Sequence, residues 1–362
     1  MNTRLHASGS AIPGRGASVN PPNRFERLHV ERDPECPEDE RPHPRTQFFF
    51  DASESILSRN DSPDVPFSYG LNPYRGCEHG CAYCFARPFH EYLGFSSGLD
   101  FETKIMVKLR APALLRAALL APRWQPECIT LSGGTDCYQP AERQFRITRG
   151  CLEVCTEFRQ PIAIITKSAL ITRDRDLLAE LARFECVAVY VSITTLDSTL
   201  AGQLEPRAAR PAHRLRAIRE LAAAGVPVGV MVAPIIPGLT DHEMPAILAA
   251  AAEAGATRAG YTVMRLPYAV KDIFLNWLDE HAPTKKERIL SRVREIRGGQ
   301  LNVSDWGRRQ KGEGIFAEQI GQLFEVAARR AGLNHERRVL ASAHFRRPGE
   351  QLSLFPPAGQ GA

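Results

Sequence analysis

The sequence predicts an α/β fold built on a parallel sheet, and two observations support this prediction. Short apolar runs rich in β-branched residues alternate with segments whose apolar residues recur at three- and four-residue steps, the spacing of one helix face. The apolar runs are continuous, which is typical of parallel strands covered by helices on both faces. The predicted strands are 67–74, 103–108, 128–133, 161–168, 187–195, 226–238 and 258–266. Six or seven such units form either a βα barrel or an open doubly wound sheet.

Length and composition are those of a folded globular protein. The chain has 362 residues, of which 43% are hydrophobic and 24% are charged, and its formal net charge is +5. A charge of this size permits contact with nucleic acid but does not require it. No apolar run long enough to span a bilayer is present, and the N-terminus lacks the apolar centre of a secretory signal. We therefore expect a cytoplasmic protein.

The chain divides into four predicted regions. Residues 1–45 are rich in Pro, Arg and Gly, and we expect them to be a disordered tail. The alternating strands and helices belong to a core at 46–284, and a helical extension at 285–347 is expected to pack on it. Residues 348–362 are expected to form a flexible tail.

Three cysteines in the segment RGCEHGCAYCFARP are the strongest chemical signal in the sequence. Cys77, Cys81 and Cys84 lie close together, whereas the other six of the nine cysteines are scattered. In a reducing compartment such a group binds metal or performs redox chemistry more often than it forms disulfides. A zinc site would need a further ligand or an open position, and His79 is sterically awkward in that role. A 4Fe–4S cluster held by three thiolates would leave one iron free.

The spacing Cys-x3-Cys-x2-Cys, with an aromatic residue on each side of the last cysteine, resembles the radical S-adenosylmethionine (SAM) superfamily. The segments TDCYQPAE, ITKSALITRDRDLL, LEPRAARPAHRL and APIIPGLTD are similar to a bacterial branch near spore photoproduct lyase, described as DNA repair photolyase-like. The resemblance implies an α/β fold of the partial (βα)6 TIM barrel type, with Cys77, Cys81 and Cys84 as ligands of a 4Fe–4S cluster. It also implies that the free iron binds SAM, which an electron from the cluster cleaves to a 5′-deoxyadenosyl radical. The electron would come from a reductant such as flavodoxin or ferredoxin.

The resemblance also assigns a cofactor pocket at the carboxyl ends of the strands. The expected residues are Tyr83, Phe85, Ser132, Gly133, Gly134, Thr135, Asp136, Lys167, Ser192 and Ile236. Simpler alternatives stay open: the two aromatic residues pack the loop, the aspartate caps the next helix, and the lysine is solvated. We further expect an ion pair between Glu205 and Arg207 in the segment LEPR.

One departure from the lyase concerns the hydrogen-atom donor. The lyase uses a cysteine at a place that matches about Gly133 here, which argues against the same photoproduct chemistry. Cys137 lies four residues later and is either a hydrogen-atom donor with Tyr138 as a relay or an inert substitution. Cys151 and Cys155 lie on one helix face, where we expect core packing in preference to a second cluster.

A short segment near the C-terminus resembles the bacterial sliding-clamp-binding motif. It consists of Gln351, Leu352, Ser353, Leu354 and Phe355. In the motif, the glutamine bonds at a pocket rim, and leucine and phenylalanine fill apolar pockets. Docking on the clamp would favour DNA as a partner, whereas the alternative is that these apolar side chains cover a patch on the barrel.

Three functions remain open from the sequence. The first is a radical SAM enzyme, lyase-like or a transferase, that abstracts hydrogen from a nucleic-acid base or sugar in DNA repair or modification. Arginine-rich segments such as EPRAARPAHRLRAIRE would then contact phosphates. The second is the same core acting on a peptide or small metabolite, with the C-terminal extension as a lid. The third is a non-enzymatic, zinc-stabilised adaptor associated with DNA.

Overall fold

The computed structural model of the chain describes residues 12–26, 45–335 and 339–349. Its strands are β1 (Gln47–Phe50), β2 (Leu57–Arg59), β3 (Tyr69–Leu71), β4 (Tyr74–Arg75), β5 (Lys104–Val107), β6 (Ile129–Leu131), β7 (Ile162–Thr166), β8 (Val187–Ser192), β9 (Val228–Ile235) and β10 (Arg258–Val263). Its α-helices are α1 (Leu99–Thr103), α2 (Ala111–Leu120), α3 (Glu142–Phe145), α4 (Ile147–Phe158), α5 (Arg175–Arg183), α6 (Ser198–Leu204), α7 (Pro211–Ala223), α8 (Met244–Glu253), α9 (Val270–His281), α10 (Lys286–Glu295) and α11 (Ile315–Arg330). Short 3-10 turns cover Arg87–Leu93, Ala169–Asp174, Asp241–Glu243 and Pro283–Lys285.

A seven-stranded sheet organises the fold, in the order β10-β9-β8-β7-β6-β3-β2. Six of these strands, β3 and β6 to β10, are parallel and neighbour one another in chain order. A doubly wound sheet reverses its strand order at a switch point, whereas a barrel keeps a single direction. Because β2 pairs antiparallel at one edge and no pairing joins β10 to β3 in the described part of the chain, the barrel is partial. The predicted partial (βα)6 barrel is confirmed.

The central parallel strands are mostly apolar because helices cover their outer face. β8, with the sequence VAVYVS, buries five of its six residues. The covering helices contribute one apolar stripe each, as α4 does with Leu152 and Phe158, both fully buried. This packing brings the carboxyl ends of β6 to β9 to one edge, where the candidate site lies.

Two predicted strands differ from the structure. The segment 103–108 contains β5, which leaves the barrel and forms a separate three-stranded sheet with β1 and β4. The segment 67–74 is divided into β3 and β4, and Pro73 stands between them. Proline has no N–H to donate to a sheet, so the chain leaves the barrel there and turns toward the cysteine loop.

An N-terminal arm, residues 12–26, packs on the body of the protein, although the sequence predicts a disordered tail there. Ala17 is 2% exposed and lies in a small apolar cluster with Leu99. The backbone N–H groups of Gly16 and Ala17 donate to the carboxylate of Glu102, at 3.1 and 2.9 Å. Composition alone does not predict that the arm is ordered, because the arm is held by hydrogen bonds to a buried carboxylate that is distant in sequence.

The C-terminal extension contains α10 and α11. Helix α11 packs on α8 through a stripe that includes Ile320 and Phe324. None of the helices in the described ranges is long and apolar enough to cross a membrane. The QLSLF segment at 351–355 lies outside the described residues, and the region boundaries expected from the sequence stay predictions.

Candidate active site

The three cysteines lie on one loop that connects β4 to the 3-10 turn Arg87–Leu93. Cys77 and Cys81 are buried, Cys84 is half-buried, and all three thiols are free. The loop is joined to the barrel by backbone hydrogen bonds, among them one from the N–H of Ala82 to the carbonyl of Leu204 at 3.0 Å. It is therefore held against the segment that follows β8.

Two glycines allow the loop to turn tightly. Gly76 and Gly80 have φ angles of +78° and +67°, in the left-handed region that residues with a Cβ adopt at a cost. A Cβ on Gly80 would also lie 2.7 Å from a carboxylate oxygen of Glu102. The glycines beside the cysteines are thus explained by backbone conformation and close packing.

A buried arginine holds the loop from beneath. The Nε and Nη2 atoms of Arg87 donate to the carbonyl of Cys81 at 3.0 and 2.9 Å. Its Nη1 atom donates to the carbonyls of Ser97 and Gly98 at 3.2 and 2.9 Å. One side chain therefore ties the cysteine loop to the start of α1.

The three thiols form a set of ligands that fits an iron–sulfur cluster. Burial raises the pKa of Cys77 well above its ordinary value, and the charge of Asp136 adds to the effect. Burial also raises the pKa of Cys81, so that positive charge from a metal would be needed to hold these groups as thiolates. In a cubane cluster each thiolate binds a different iron, so the three sulfurs need not surround one point.

A mononuclear zinc site has a different requirement, because its ligands must share one coordination sphere. Among the residues that the structure describes, no group of three or more His, Cys, Asp or Glu side chains is arranged to hold a single metal ion. His79, the awkward fourth ligand, instead has its Nδ1 atom 3.4 Å from a carboxylate oxygen of Asp136. His79 therefore faces Asp136, which supports the expectation that it is not a fourth ligand.

A buried carboxylate faces the loop at the carboxyl end of the sheet. The hydroxyls of Tyr83 and Thr194 both donate to Glu205, the latter at 2.8 Å, and Glu205 pairs with Arg214. Burial by itself would raise the pKa of Glu205, but the charges of Arg214 and Lys167 and the hydrogen bonds it accepts lower it to about 2. Glu205 is therefore a fixed negative charge.

The expected pairing of Glu205 with Arg207 is wrong. Arg207 instead pairs with Glu78 at 2.9 Å, on the half-buried side of the loop. Glu205 turns inward, where Arg214 projects from the first turns of α7 and also donates to the carbonyl of Ser192 at 2.9 Å. Neighbours in sequence need not share a partner when one side chain points inward and the other outward.

Lys167 lies beside this cluster, as a lysine at the end of β7 is expected to. Its Nζ atom donates to the carbonyl of Ala233 at 3.2 Å and lies 5.9 Å from the ring centroid of Tyr83. Lys167 thus extends across the ends of the strands to β9 and the cysteine loop. This position differs from that of a fully solvated lysine.

The segment Ser132–Asp136 forms the turn after β6, but its backbone differs from the glycine-rich geometry expected. The positive φ of +70° falls on Ser132, and neither glycine has one. The N–H groups of Gly134 and Thr135 donate to the side chain of Asn72 at 2.9 and 3.2 Å. A role for these backbone groups in cofactor binding stays a prediction.

Asp136 is the most connected residue of that turn. Its carboxylate accepts from the N–H groups of Tyr138 and Lys167, at 2.9 and 2.8 Å, and from the hydroxyl of Thr166 at 2.7 Å. Burial opposes its ionisation, but His79 and these donors lower the pKa to about 2. The structure thus favours a capping and bridging role between the turns after β6 and β7.

Two of the remaining expected pocket residues, Ile236 and Phe85, lie beside the same loop. Ile236 is fully buried in an apolar cluster with Cys81 and Tyr83. The ring of Phe85 is covered by the guanidinium of Arg265, 4.1 Å from its centroid. Ser192 is 2% exposed at the end of β8.

The positions of Cys137 and Tyr138 do not favour a catalytic role. Cys137 is fully buried in the main apolar core, and burial raises the pKa of its thiol well above the ordinary value. The hydroxyl of Tyr138 donates to Asp174 at 3.1 Å. These contacts support the inert alternative, and the donor role stays a prediction. Cys151 and Cys155 are also fully buried in that core, as packing predicts.

No role was predicted from the sequence for several residues that support the site. They are Asn72, Arg87, Glu102, Gln139 and Arg214. Only Arg214 had a usable signal, since it lies three and four residues before Ala217 and Ile218 on the apolar stripe of a predicted helix. Asn72, Glu102 and Gln139 each bond to a residue more than sixty positions away, which local spacing does not reveal.

Comparison with other sequences identifies relatives. The uncharacterized protein Rv2578c of Mycobacterium tuberculosis is 39% identical over 234 residues, which cover 64% of this chain and 68% of the relative. The uncharacterized protein MJ0683 of Methanocaldococcus jannaschii is 29% identical over 175 residues, or 48% of this chain and 63% of the relative.

Comparison with solved structures confirms the fold. A variant of spore photoproduct lyase is similar with a TM-score of 0.54 and 15% identity, over 84% of each chain. Spore photoproduct lyase complexed with dinucleoside spore photoproduct has a TM-score of 0.54 and 14% identity, over 79% of this chain and 80% of the lyase. At this identity the likeness concerns the fold alone.

A family model matches the part of the chain that holds the cysteine loop and most of the barrel. The model is that of the Radical SAM superfamily, and it covers residues 71–251. The family uses a 4Fe–4S cluster and SAM, for which this chain has the three-thiol loop described above. The fold, the loop and these comparisons agree, and the chain belongs to the radical SAM superfamily.

Proposed function

We propose that the chain is a radical SAM enzyme that abstracts a hydrogen atom from a nucleic-acid substrate in DNA repair or modification. The observation that carries the proposal is the position of the three-thiol loop against the buried cluster of Tyr83, Thr194 and Glu205. When bound, the cluster and SAM supply a 5′-deoxyadenosyl radical that takes hydrogen from a C–H bond. The residues of the chain bind, orient and shield these groups.

The roles of individual residues follow from their contacts. Cys77, Cys81 and Cys84 would ligate the cluster. Lys167 would donate to an anionic or hydroxyl group of the cofactor, because its ammonium lies at the strand ends with one backbone acceptor. Ile236 would provide an apolar surface for the adenine, since it lies in the same apolar cluster as Tyr83.

The substrate class is supported by arginines near the loop, such as Arg207 and Arg210, which line one cleft with His79, and by the relatives of the fold. Spore photoproduct lyase has been solved in complex with a dinucleoside, and that lyase shares this fold. A peptide or small metabolite is the competing substrate class. An electron donor is a required partner; we propose flavodoxin or ferredoxin, and the cytoplasm as the location.

The test is anaerobic reconstitution followed by reduction in the presence of SAM. We expect 5′-deoxyadenosine and methionine in the wild type, and neither in Cys81→Ala. Cys128→Ala is the matched control, because Cys128 is a half-buried thiol outside the loop. Protein that contains zinc without iron or sulfide after air-free purification would contradict the proposal.

We also propose that the tail segment 351–355 docks on the bacterial sliding clamp, from its sequence alone. A pulldown with the clamp would compare wild type with Leu354→Ala/Phe355→Ala. We expect recovery of the clamp by the wild type only. Equal recovery by both proteins would remove this idea and leave the enzymatic proposal untouched.

A further inference from the structure

A cleft of about 750 Å³ opens beside the cysteine loop. Its walls come from the 3-10 turn Ala169–Asp174, the first residue of α5, the loop before α7 and the first turns of α7. His79, which stands between the first two cluster cysteines, lines one end of the cleft. A ligand in the cleft would therefore lie next to the cysteine loop.

The side chains that line this cleft are strongly cationic. Six arginines and two histidines contribute to its surface: Arg143, Arg173, Arg175, Arg207, Arg210, Arg216, His79 and His213. No aspartate or glutamate is among the described residues that line it. Such a one-signed concave surface attracts anions.

Part of this charge is compensated by carboxylates behind the surface. Arg173 pairs with Glu142 and Asp174, both at 2.7 Å. Arg207 pairs with Glu78 at 2.9 Å. These two arginines are half-buried, and their pairing fixes their position at the cleft wall.

Three other arginines have no ion pair within the described part of the chain. Arg143 and Arg175 are exposed, and Arg210 donates only to the carbonyl of Ser198 at 3.0 Å. Arg210 also precedes Pro211, the first residue of α7, so the positive end of a thirteen-residue helix adds to the field. Within the described part of the chain the cleft therefore keeps a net positive charge, because Arg216 has Glu220 as a partner but these three arginines have no carboxylate partner.

Guanidinium groups bind phosphate through paired N–H donors, which makes arginine the preferred residue for this anion. We infer that this cleft binds the phosphate groups of a single nucleic-acid strand whose reacting nucleotide lies at the cysteine loop. The inference rests on the proposed function and adds the place where the substrate backbone is held. The volume is typical of a site for a small ligand, and the exposed arginines allow a longer chain to leave it.

The experiment measures binding of a labelled single-stranded DNA of about 12 nucleotides to the reconstituted protein by fluorescence anisotropy at several salt concentrations. The test variant is Arg175→Ala/Arg210→Ala, and its control is Arg329→Ala/Arg330→Ala, which removes the same charge from the exposed end of α11. We expect the test variant to bind at least about tenfold more weakly. The slope of its affinity against salt concentration should correspond to about one to two fewer phosphate contacts. The control should bind like the wild type.

Further measurements distinguish a nucleic-acid strand from other phosphate ligands, and they distinguish this inference from the proposed function. An RNA strand of the same length should bind through the same arginines, whereas pyrophosphate should compete only weakly. Equal affinity of the test variant and the wild type, no binding at low salt, or strong competition by pyrophosphate would each overturn the inference. Cluster content and SAM cleavage without substrate should be unchanged in all variants, and their loss in the wild type would instead count against the proposed function.

Discussion

The guanidinium of Arg87 and the carboxylate of Glu102 form an ion pair beneath the cysteine loop, and both side chains are fully buried. Arg87 holds the carbonyl of Cys81, while Glu102 accepts from the N-terminal arm. The pair thus connects three segments that are distant in sequence: the arm, the cysteine loop and α1. The pair therefore positions the loop.

Glu102→Gln should weaken both the fold and the hold on the cluster. The substitution leaves the charge of Arg87 buried without a counterion, which costs about 3 to 5 kcal/mol in comparable sites. We expect a lower urea midpoint for unfolding and fewer irons per chain after reconstitution, measured by circular dichroism and iron analysis.

The matched control is Glu157→Gln, which removes a carboxylate that pairs with Arg116 at the surface, where both side chains are more than a third exposed. Surface pairs of this kind contribute about 0 to 1 kcal/mol. A midpoint for Glu102→Gln equal to that of the control would contradict the positioning role.

The stability of the cluster-free protein should depend on Glu205 in acid. The pKa of this carboxyl is about 2 in the folded protein, below the ordinary value of 4.5. Its contribution is therefore present above pH 4.5 and is lost as the pH falls toward 2, with a total of about 3 kcal/mol.

The measurement is the urea midpoint as a function of pH for the wild type and Glu205→Gln. The wild type should lose stability more steeply between about pH 4.5 and pH 2 than the variant, which lacks this titrating group. Parallel curves for the two proteins over this window would show that the charge of Glu205 is not stabilised in the fold.

Lys167→Met should impair the use of SAM while leaving the cluster in place. The methionine keeps most of the apolar stem but lacks the ammonium that lies at the strand ends. We expect at least about tenfold less 5′-deoxyadenosine at limiting SAM, with unchanged iron content and a smaller loss at saturating SAM. Lys271→Met on the exposed face of α9 is the control, and equal rates in both variants would show that Lys167 has no role in SAM binding.

Cys137→Ala distinguishes a packing role from a hydrogen-donating one. Because the thiol is fully buried in the core, packing predicts a loss of about 1 to 2 kcal/mol in stability and no change in product distribution. Cys151→Ala, at another fully buried thiol, should behave in the same way. Altered products or increased SAM consumption per product in Cys137→Ala alone would instead support the donor role.

Local spacing in the sequence was enough to predict much of the barrel and its cofactors. Continuous apolar strands that alternate with helices predicted the parallel sheet, and the three cysteines predicted the cluster loop. These features depend on residues a few positions apart, whose relative placement the backbone itself determines. The strand pattern alone left the barrel and the doubly wound sheet open, the family resemblance favoured the barrel, and the order of the strands in space confirms it.

The tertiary structure decided which charged groups meet. The sequence by itself suggested Arg207 as the partner of Glu205, yet Arg214 occupies that place, and the arm at 12–26 packs on the core through Glu102. A buried charge needs a counterion and donors, and the nearest ones in space come from whichever helices and loops the fold brings together. The sequence therefore predicted the chemistry that is confined to one short loop. The network that supports this loop, and the cationic cleft beside it, form only when the chain folds.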